Sequence, residues 1–316
     1  MAEFTNNIYN QEIKERFLNM IDLKQYPYRW WERVFEKSYL FEKLKNKDLY
    51  NFTVPEIKEF YKFLDVGTIT PLIVYNTNLL KYAQWALNEN LIPDGQNHFD
   101  ELDTEALNEC LNYTKITQSI LSYEKFMELI NTKIKNEQDK FIFFCLFEGI
   151  KGSDYQDISN LKMSDINEKG NIVHLFSGKD VYVSQDFINI CKAADAQTEY
   201  MGLTDGNREM KLIPGEYIYK EKFNSSKPNR EKMGQSIYKT IIRNIDYIYE
   251  LSSTITAKSI RDSGLIYYLK KRAKKLNISV EELMYDKDNW ADIADKYQFN
   301  VSTKKRWMMQ YKEILK

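Results

Sequence analysis

The sequence predicts a mainly α-helical chain with one small β-sheet, an α+β arrangement, split into two domains. Three observations carry this. Glycine and proline are scarce, 11 and 6 in 316 residues, so tight hairpins are few. Apolar residues recur at three- and four-residue steps over most of the chain. Short β-branched or aromatic runs stand together only in the middle, around residues 171–184. At 43% hydrophobic and 14% aromatic residues the chain has enough apolar material for two cores.

Residues 1–92 read as a helical bundle. In YRWWERVFEKSYLFEKL, Trp30, Val34, Tyr39 and Phe41 fall at helical spacing among charges. TVPEIKEFYKFL opens with Thr53 as N-cap and Glu56 three residues on as its capping-box partner. Pro71 suits the first turn of the next helix, whose Leu72, Tyr75, Leu79, Tyr82 and Ala86 form an apolar stripe. Between residues 88 and 110, Glu89, Asp94, Asp100, Glu101, Asp103, Glu105 and Glu109 occur without a single Lys or Arg. That charge run predicts an exposed acidic linker over 93–114, with a turn at Pro93, Asp94 and Gly95.

The second domain then covers 115–316. SYEKFMELINTKIKNEQDKFIFFCLFEGI predicts two helices, the second largely buried. NIVHLF and DVYVS form a hairpin across SGK, and EYIY at 216–219 is a candidate third strand. A helix is expected from about Gln235 to Tyr249, and everything from Ile260 onward reads as helix.

Composition excludes several classes. Cys110, Cys145 and Cys191 are widely spaced and form no CxxC pair, so neither a disulfide framework nor a zinc site is implied; a reducing cytoplasm fits. FIFFCLF is too short to span a bilayer and the first residues are polar and mixed in charge, so no membrane segment or signal peptide is expected. The net charge of −1 gives no bulk attraction to nucleic acid. Local clusters do. Between 258 and 275, Lys258, Arg261, Lys270, Lys271, Arg272, Lys274 and Lys275 face Asp262 alone; Lys227 and Arg230 belong to a second cluster and Lys304, Lys305 and Arg306 to a third.

A helical bundle, an acidic stretch, helices, a hairpin carrying a lysine, then helices with one arginine: this order resembles the tyrosine recombinase (phage integrase) family over roughly residues 30–310. NFTVPEIKEFYKFLDVGTITPLIVYNTNLLKYAQWALNENLI is similar to that family's core-binding domain, and FEGIKGSDYQDISNLKMSDIN to its first catalytic box. The resemblance implies an active site in which arginines, a lysine and histidines stabilise a phosphate attacked by a tyrosine hydroxyl. Carried over position by position, the first arginine falls on Lys151 counting from Gly149, or on Asp154 counting back from Asp157. Lys179 occupies the hairpin-lysine place. In KSIRDSG, Lys258 stands in the histidine place and Arg261 keeps the second arginine.

The closing box, IADKYQFNVSTKKRWMMQY, puts Trp307 where the tyrosine belongs, and indole has no hydroxyl. The chain's two histidines are His98 and His174, so none follows residue 174. These departures imply a fold without the chemistry and no cofactor or metal. Tyr311, one turn beyond Trp307, is the alternative nucleophile of an active, divergent recombinase that would use Arg261, Lys179 and Lys258.

Within the family the chain is most like the integrase-fold repressors of SP-beta-type prophages. That implies a sequence-specific regulator of double-stranded DNA, a lysogeny repressor in a bacterial cytoplasm, with self-association or a regulatory protein as further partners. Arg261, Lys258, Lys179 and Lys151 are then the expected phosphate contacts, joined by Lys227, Arg230, Lys270, Lys271, Lys304, Lys305 and Arg306. Asn76, Asn78 and Lys81, on the helix starting near Thr70, are the expected readers of base edges.

Overall fold

The computed structural model describes residues 7–21, 28–202, 209–223, 232–248 and 254–316. The chain divides into two compact units, Met1–Ile116 and Thr117–Lys316. Lys227 and Arg230 lie outside the described residues. Among the described residues no helix is long and apolar enough to cross a membrane.

The first unit is helical: α1 (Gln11–Met20), α2 (Tyr28–Lys45), α3 (Val54–Phe63), α4 (Ile69–Asn88), α5 (Thr104–Asn108) and the start of α6 (Tyr113–Ser119). At the head of α3 the Glu56 carboxylate accepts from the Thr53 backbone N–H and hydroxyl, both at 2.9 Å, so the expected cap is present. On α4, Leu72, Leu79, Tyr82 and Ala86 are fully buried. Tyr75, expected in that stripe, is half-buried, its ring 5.6 Å from that of Trp30.

On α2 the buried face differs from the expected one: Trp31, Val34, Phe35, Ser38 and Glu42 point inward, whereas Trp30, Tyr39 and Phe41 are only partly covered. Aromatics on two sides of α2 leave its apolar stripe ambiguous. Packing against Phe17, 5.0 Å from Trp31 centroid to centroid, selects the face. That choice buries Glu42, which is tolerable because Lys14 reaches it at 2.6 Å from inside the same core.

The acidic stretch is not an exposed linker. Phe99, Leu102, Leu107, Cys110 and Leu111 are buried in the first unit, and its carboxylates reach lysine and arginine there, as in Lys58–Glu109 at 2.9 Å and Arg16–Glu89 at 2.6 Å. Charge along the sequence overstated exposure, because apolar residues spaced between the acids supply the anchors.

The second unit is built around α8 (Glu137–Phe147), from Phe141 to Phe147 buried on every side. Around it stand α7 (Tyr123–Lys133), α9 (Gln156–Ser159), α10 (Gln185–Ala196), α11 (Met233–Ile248) and α12 (Ala257–Leu276). Gly264 lets α12 touch α8: a Cβ there would fall 1.8 Å from the Phe147 carbonyl oxygen.

The expected hairpin is the antiparallel pair β2 (Ile172–His174) and β3 (Asp180–Tyr182), and β1 (Ile166–Asn167) completes its sheet. EYIY is not a strand: it holds a single bridge, Tyr217 to Lys162. The second, two-stranded sheet is instead β4 (Glu199–Met201) with β5 (Glu209–Lys211). Ile218 donates to the Leu161 carbonyl and its neighbour Tyr219 is buried beside it, so the in-out alternation of a strand is absent and no ladder forms. The chain ends in α13 (Val280–Tyr285), α14 (Lys287–Lys296), α15 (Lys304–Gln310) and α16 (Lys312–Leu315).

Candidate nucleic-acid interface

The site begins at the head of α12. Thr256 caps it, its hydroxyl accepting from the Ser259 N–H at 3.0 Å while its own N–H donates to Ser259 Oγ at 2.8 Å. This cap sets the first turn of the helix, so Lys258, Arg261 and Asp262 share one end and one side. Asp262, 8% exposed, is the hub. It accepts from Lys258 Nζ at 2.5 Å, from the Tyr311 hydroxyl at 2.6 Å and from the Trp307 indole N–H at 3.4 Å. A short stretch at 258–262 and the chain's last helices are thus joined through one carboxylate.

Tyr311 is 2% exposed and packs against Trp307 with ring centroids 4.9 Å apart. Burial, and then the neighbouring Asp262 charge, push its phenol well above the ordinary tyrosine range. In this arrangement the hydroxyl donates to a buried carboxylate and its oxygen is withdrawn from solvent. Arg261 is largely withdrawn from water, and its Nε has no hydrogen-bond partner. Burial lowers its pKa and Asp262 opposes the change. A guanidinium keeps its charge under such conditions, so an incompletely satisfied cation sits beside the exposed Lys258.

Lys179 is held by Asp295 on α14 through an ion pair. Its hairpin is fixed from below as well: Asp157, 1% exposed, accepts from the Ser177 N–H at 2.9 Å and from Ser177 Oγ at 3.2 Å. Gly152 makes room for that clamp, since a Cβ at its φ of +71° would meet the Asp157 nitrogen at 2.7 Å. Lys151 is exposed, its ammonium 5.1 Å from the Tyr155 ring centroid. Asp154 is exposed with φ 45°, in a turn shared with Tyr155 at φ 63°. No arginine occupies either place.

Buried Glu148 was not anticipated from the sequence. It accepts from Ser184 N–H and Oγ and from the Tyr268 hydroxyl, and pairs with buried Lys296, whose ammonium also donates to the Tyr182 carbonyl at 2.7 Å. This group pins α8, α12, α14 and the hairpin together and so fixes where Lys179 and Arg261 stand. A glutamate ending the apolar run FIFFCLFEGI was the available signal; Lys296 carried none.

Among the other expected contacts, Lys270 and Lys271 are exposed on α12, Lys305 is exposed and Arg306 half-exposed. Lys304 turns inward, donating to the Met284 carbonyl at 3.1 Å over the Tyr285 ring. On α4, Lys81 is exposed, but Asn76 and Asn78 are not readers of anything outside. Asn76 accepts from the Tyr61 hydroxyl at 2.9 Å and donates to the Phe99 carbonyl at 3.1 Å; Asn78 bonds back to Val74 at 2.8 Å. Asn76 became a core hydrogen-bond partner because the 97–102 segment folds onto α4, whereas Asn78 turns back onto its own helix. The exposed polar stripe of α4 is Thr77, Lys81, Gln84 and Asn88.

A helical first unit, followed by a helical second unit with a lysine-bearing hairpin and an arginine at a helix head, is the tyrosine-recombinase scaffold. Comparison with known proteins narrows the class. The chain belongs to the MrpR family: residues 8–88 match its N-terminal core-binding domain and residues 120–316 its C-terminal catalytic domain. It is similar to the SPbeta prophage-derived uncharacterized protein YopR of Bacillus subtilis (strain 168), 26% identical over 310 residues covering 95% of this chain and 91% of that one. An uncharacterized protein of Plasmodium falciparum (isolate 3D7) is 25% identical over 244 residues, 75% of this chain but 14% of its own length. Among solved structures, that of XerA recombinase aligns over 95% of this chain and 98% of its own, with a TM-score of 0.33 and 15% identity.

Proposed function

We propose that this protein is a DNA-binding transcriptional regulator, a prophage repressor, that uses a recombinase scaffold to hold duplex DNA without cutting it. The observation that carries the reading is the hub at Asp262. The Tyr311 hydroxyl beside the basic pair is 2% exposed and turned inward onto Asp262, out of reach of a bound phosphate, and Trp307 fills the nucleophile's expected place. Lys258 and Arg261 remain to meet a phosphate, with Lys179 and Lys151 as further contacts. On the first unit, Thr77, Lys81, Gln84 and Asn88 replace Asn76 and Asn78 as the side chains that read base edges. Similarity to a prophage-derived protein supports the biological setting.

The test is binding of the purified protein to labelled duplexes from its own genomic neighbourhood at two salt concentrations, followed by denaturation of the complexes. Site-selective, salt-sensitive binding is expected, weakened about tenfold or more by Arg261→Ala, with no protein left attached to DNA after denaturation. A covalent adduct that vanishes in Tyr311→Phe would overturn the reading in favour of a working recombinase.

A further inference from the structure

On the second unit, helices α12, α13, α15 and α16 enclose a groove of about 590 Å³. Its floor is apolar: Ala273, Ile278, Val280, Met308, Met309 and Leu315. Its rim is basic: Lys270, Lys274, Lys305, Lys312 and Lys316, with Glu281 as the single acid among the lining residues. Of the rim, Lys270, Lys274 and Lys312 are exposed and form no ion pair among the described residues; Lys316 pairs with Glu313.

We propose that this groove is a docking site for an acidic amphipathic helix of a partner protein. Two of the lining stripes have helical spacing. Lys270, Ala273 and Lys274 lie along α12, and Lys305, Met308, Met309 and Lys312 along the C-terminal helices. Helix faces with a hydrophobic trough between them match the way a further helix lays its apolar face into a groove. Methionines suit such a floor, because an unbranched thioether chain repacks around a guest.

The charge around the trough selects the guest. Lysines on both banks require carboxylates on the flanks of the docked helix, and a neutral or basic helix would leave them uncompensated. Duplex DNA would satisfy the lysines but not the floor, since a phosphate backbone offers nothing to Met308, Met309 and Leu315. Neither Arg261 nor Lys258 lines the groove, but Lys270 and Lys305, two of the expected phosphate contacts, do, so the test below reads duplex affinity beside peptide affinity.

The probe is a labelled synthetic helix of 16 or so residues with leucine at i, i+3, i+4 and i+7 spacing and glutamate on its other faces, titrated with the full chain by fluorescence anisotropy. A second peptide carries lysine in place of every glutamate. The glutamate peptide is expected to bind, with affinity falling as salt rises. The lysine peptide is expected to bind about tenfold more weakly or worse, as is the glutamate peptide to the triple variant K270E, K274E, K312E. Met309→Asp is expected to weaken the peptide several-fold while leaving affinity for a labelled duplex within about twofold.

Unfolding in urea checks each variant, and single K274E serves if the triple variant fails to fold. No binding of the glutamate peptide, or equal binding of both peptides, would sink the proposal. So would a triple variant that loses duplex affinity but keeps the peptide, which would make the groove a DNA surface.

Discussion

Each unit has a carboxylate cluster that gathers a lysine and a tyrosine hydroxyl, and the two differ in one respect. In the first unit, Asp48 accepts from the Tyr82 hydroxyl at 2.9 Å and lies 3.5 Å from Lys14, which pairs with Glu42 at 2.6 Å. All three charged side chains are within 1% of full burial. In the second, Asp262 takes the Tyr311 hydroxyl and Lys258, but Lys258 is 61% exposed and Arg261 stands next to it with an unsatisfied Nε. The first cluster closes on itself: Ser38, Leu49 N–H and the Tyr9 carbonyl take up the remaining capacity. The second leaves Lys258 turned to solvent beside a largely buried, incompletely satisfied Arg261, and this is what separates a closed lock in the fold from the proposed phosphate site.

The largest effect that would break this comparison lies at Lys14. Lys14→Met strands two buried carboxylates and should cost the protein about 3–5 kcal/mol in urea unfolding. Lys258→Met, removing a mostly exposed partner, should change stability by no more than about 1 kcal/mol. If the two variants lose equal stability, the distinction between the clusters is wrong.

Tyr311→Phe comes next. It deletes a hydrogen bond to a charged acceptor and should cost about 1.5–3 kcal/mol. Duplex affinity should be retained, because the hydroxyl faces inward; a large loss of DNA binding with stability intact would place Tyr311 at the interface instead.

A further effect is a pH dependence. Burial pushes the Glu42 carboxyl up to about 7, outweighing the pull of Lys14. A carboxyl whose folded pKa exceeds its unfolded one, near 4.5, binds more protons in the folded state. Its stabilising contribution is complete below about 4.5 and is lost as pH rises toward 7. The first unit should therefore lose some stability across that window, and Glu42→Gln should flatten the slope in unfolding measured at a series of pH values.

Sequence and structure part company where one surface had to be chosen over another. The capping pair Thr53 and Glu56, the buried run from Phe141 to Phe147 and the hairpin around Lys179 were legible, because each is specified by neighbours within a few residues. Asn76 was misplaced for the opposite reason. A polar residue on a helix face reads as exposed unless a distant acceptor claims it, and Phe99, 23 residues from Asn76, is such an acceptor. The acidic stretch misled in the same way, its charges being visible and its anchors Phe99, Leu102 and Leu107 not.

What the sequence determined alone is the set of parts: mostly helix, one lysine-bearing hairpin, one arginine at a helix head, a tryptophan where a hydroxyl was expected. Such features follow from local spacing and residue chemistry, which need no third dimension. Only the tertiary structure decided how they meet. It brought Trp307 and Tyr311 onto Asp262 across more than forty residues, buried Glu148 against Lys296 across 148, and put lysines on both banks of a methionine-floored groove. Pairings at that distance are fixed by which helix faces the core accepts, a property of the packed whole that no window of sequence contains.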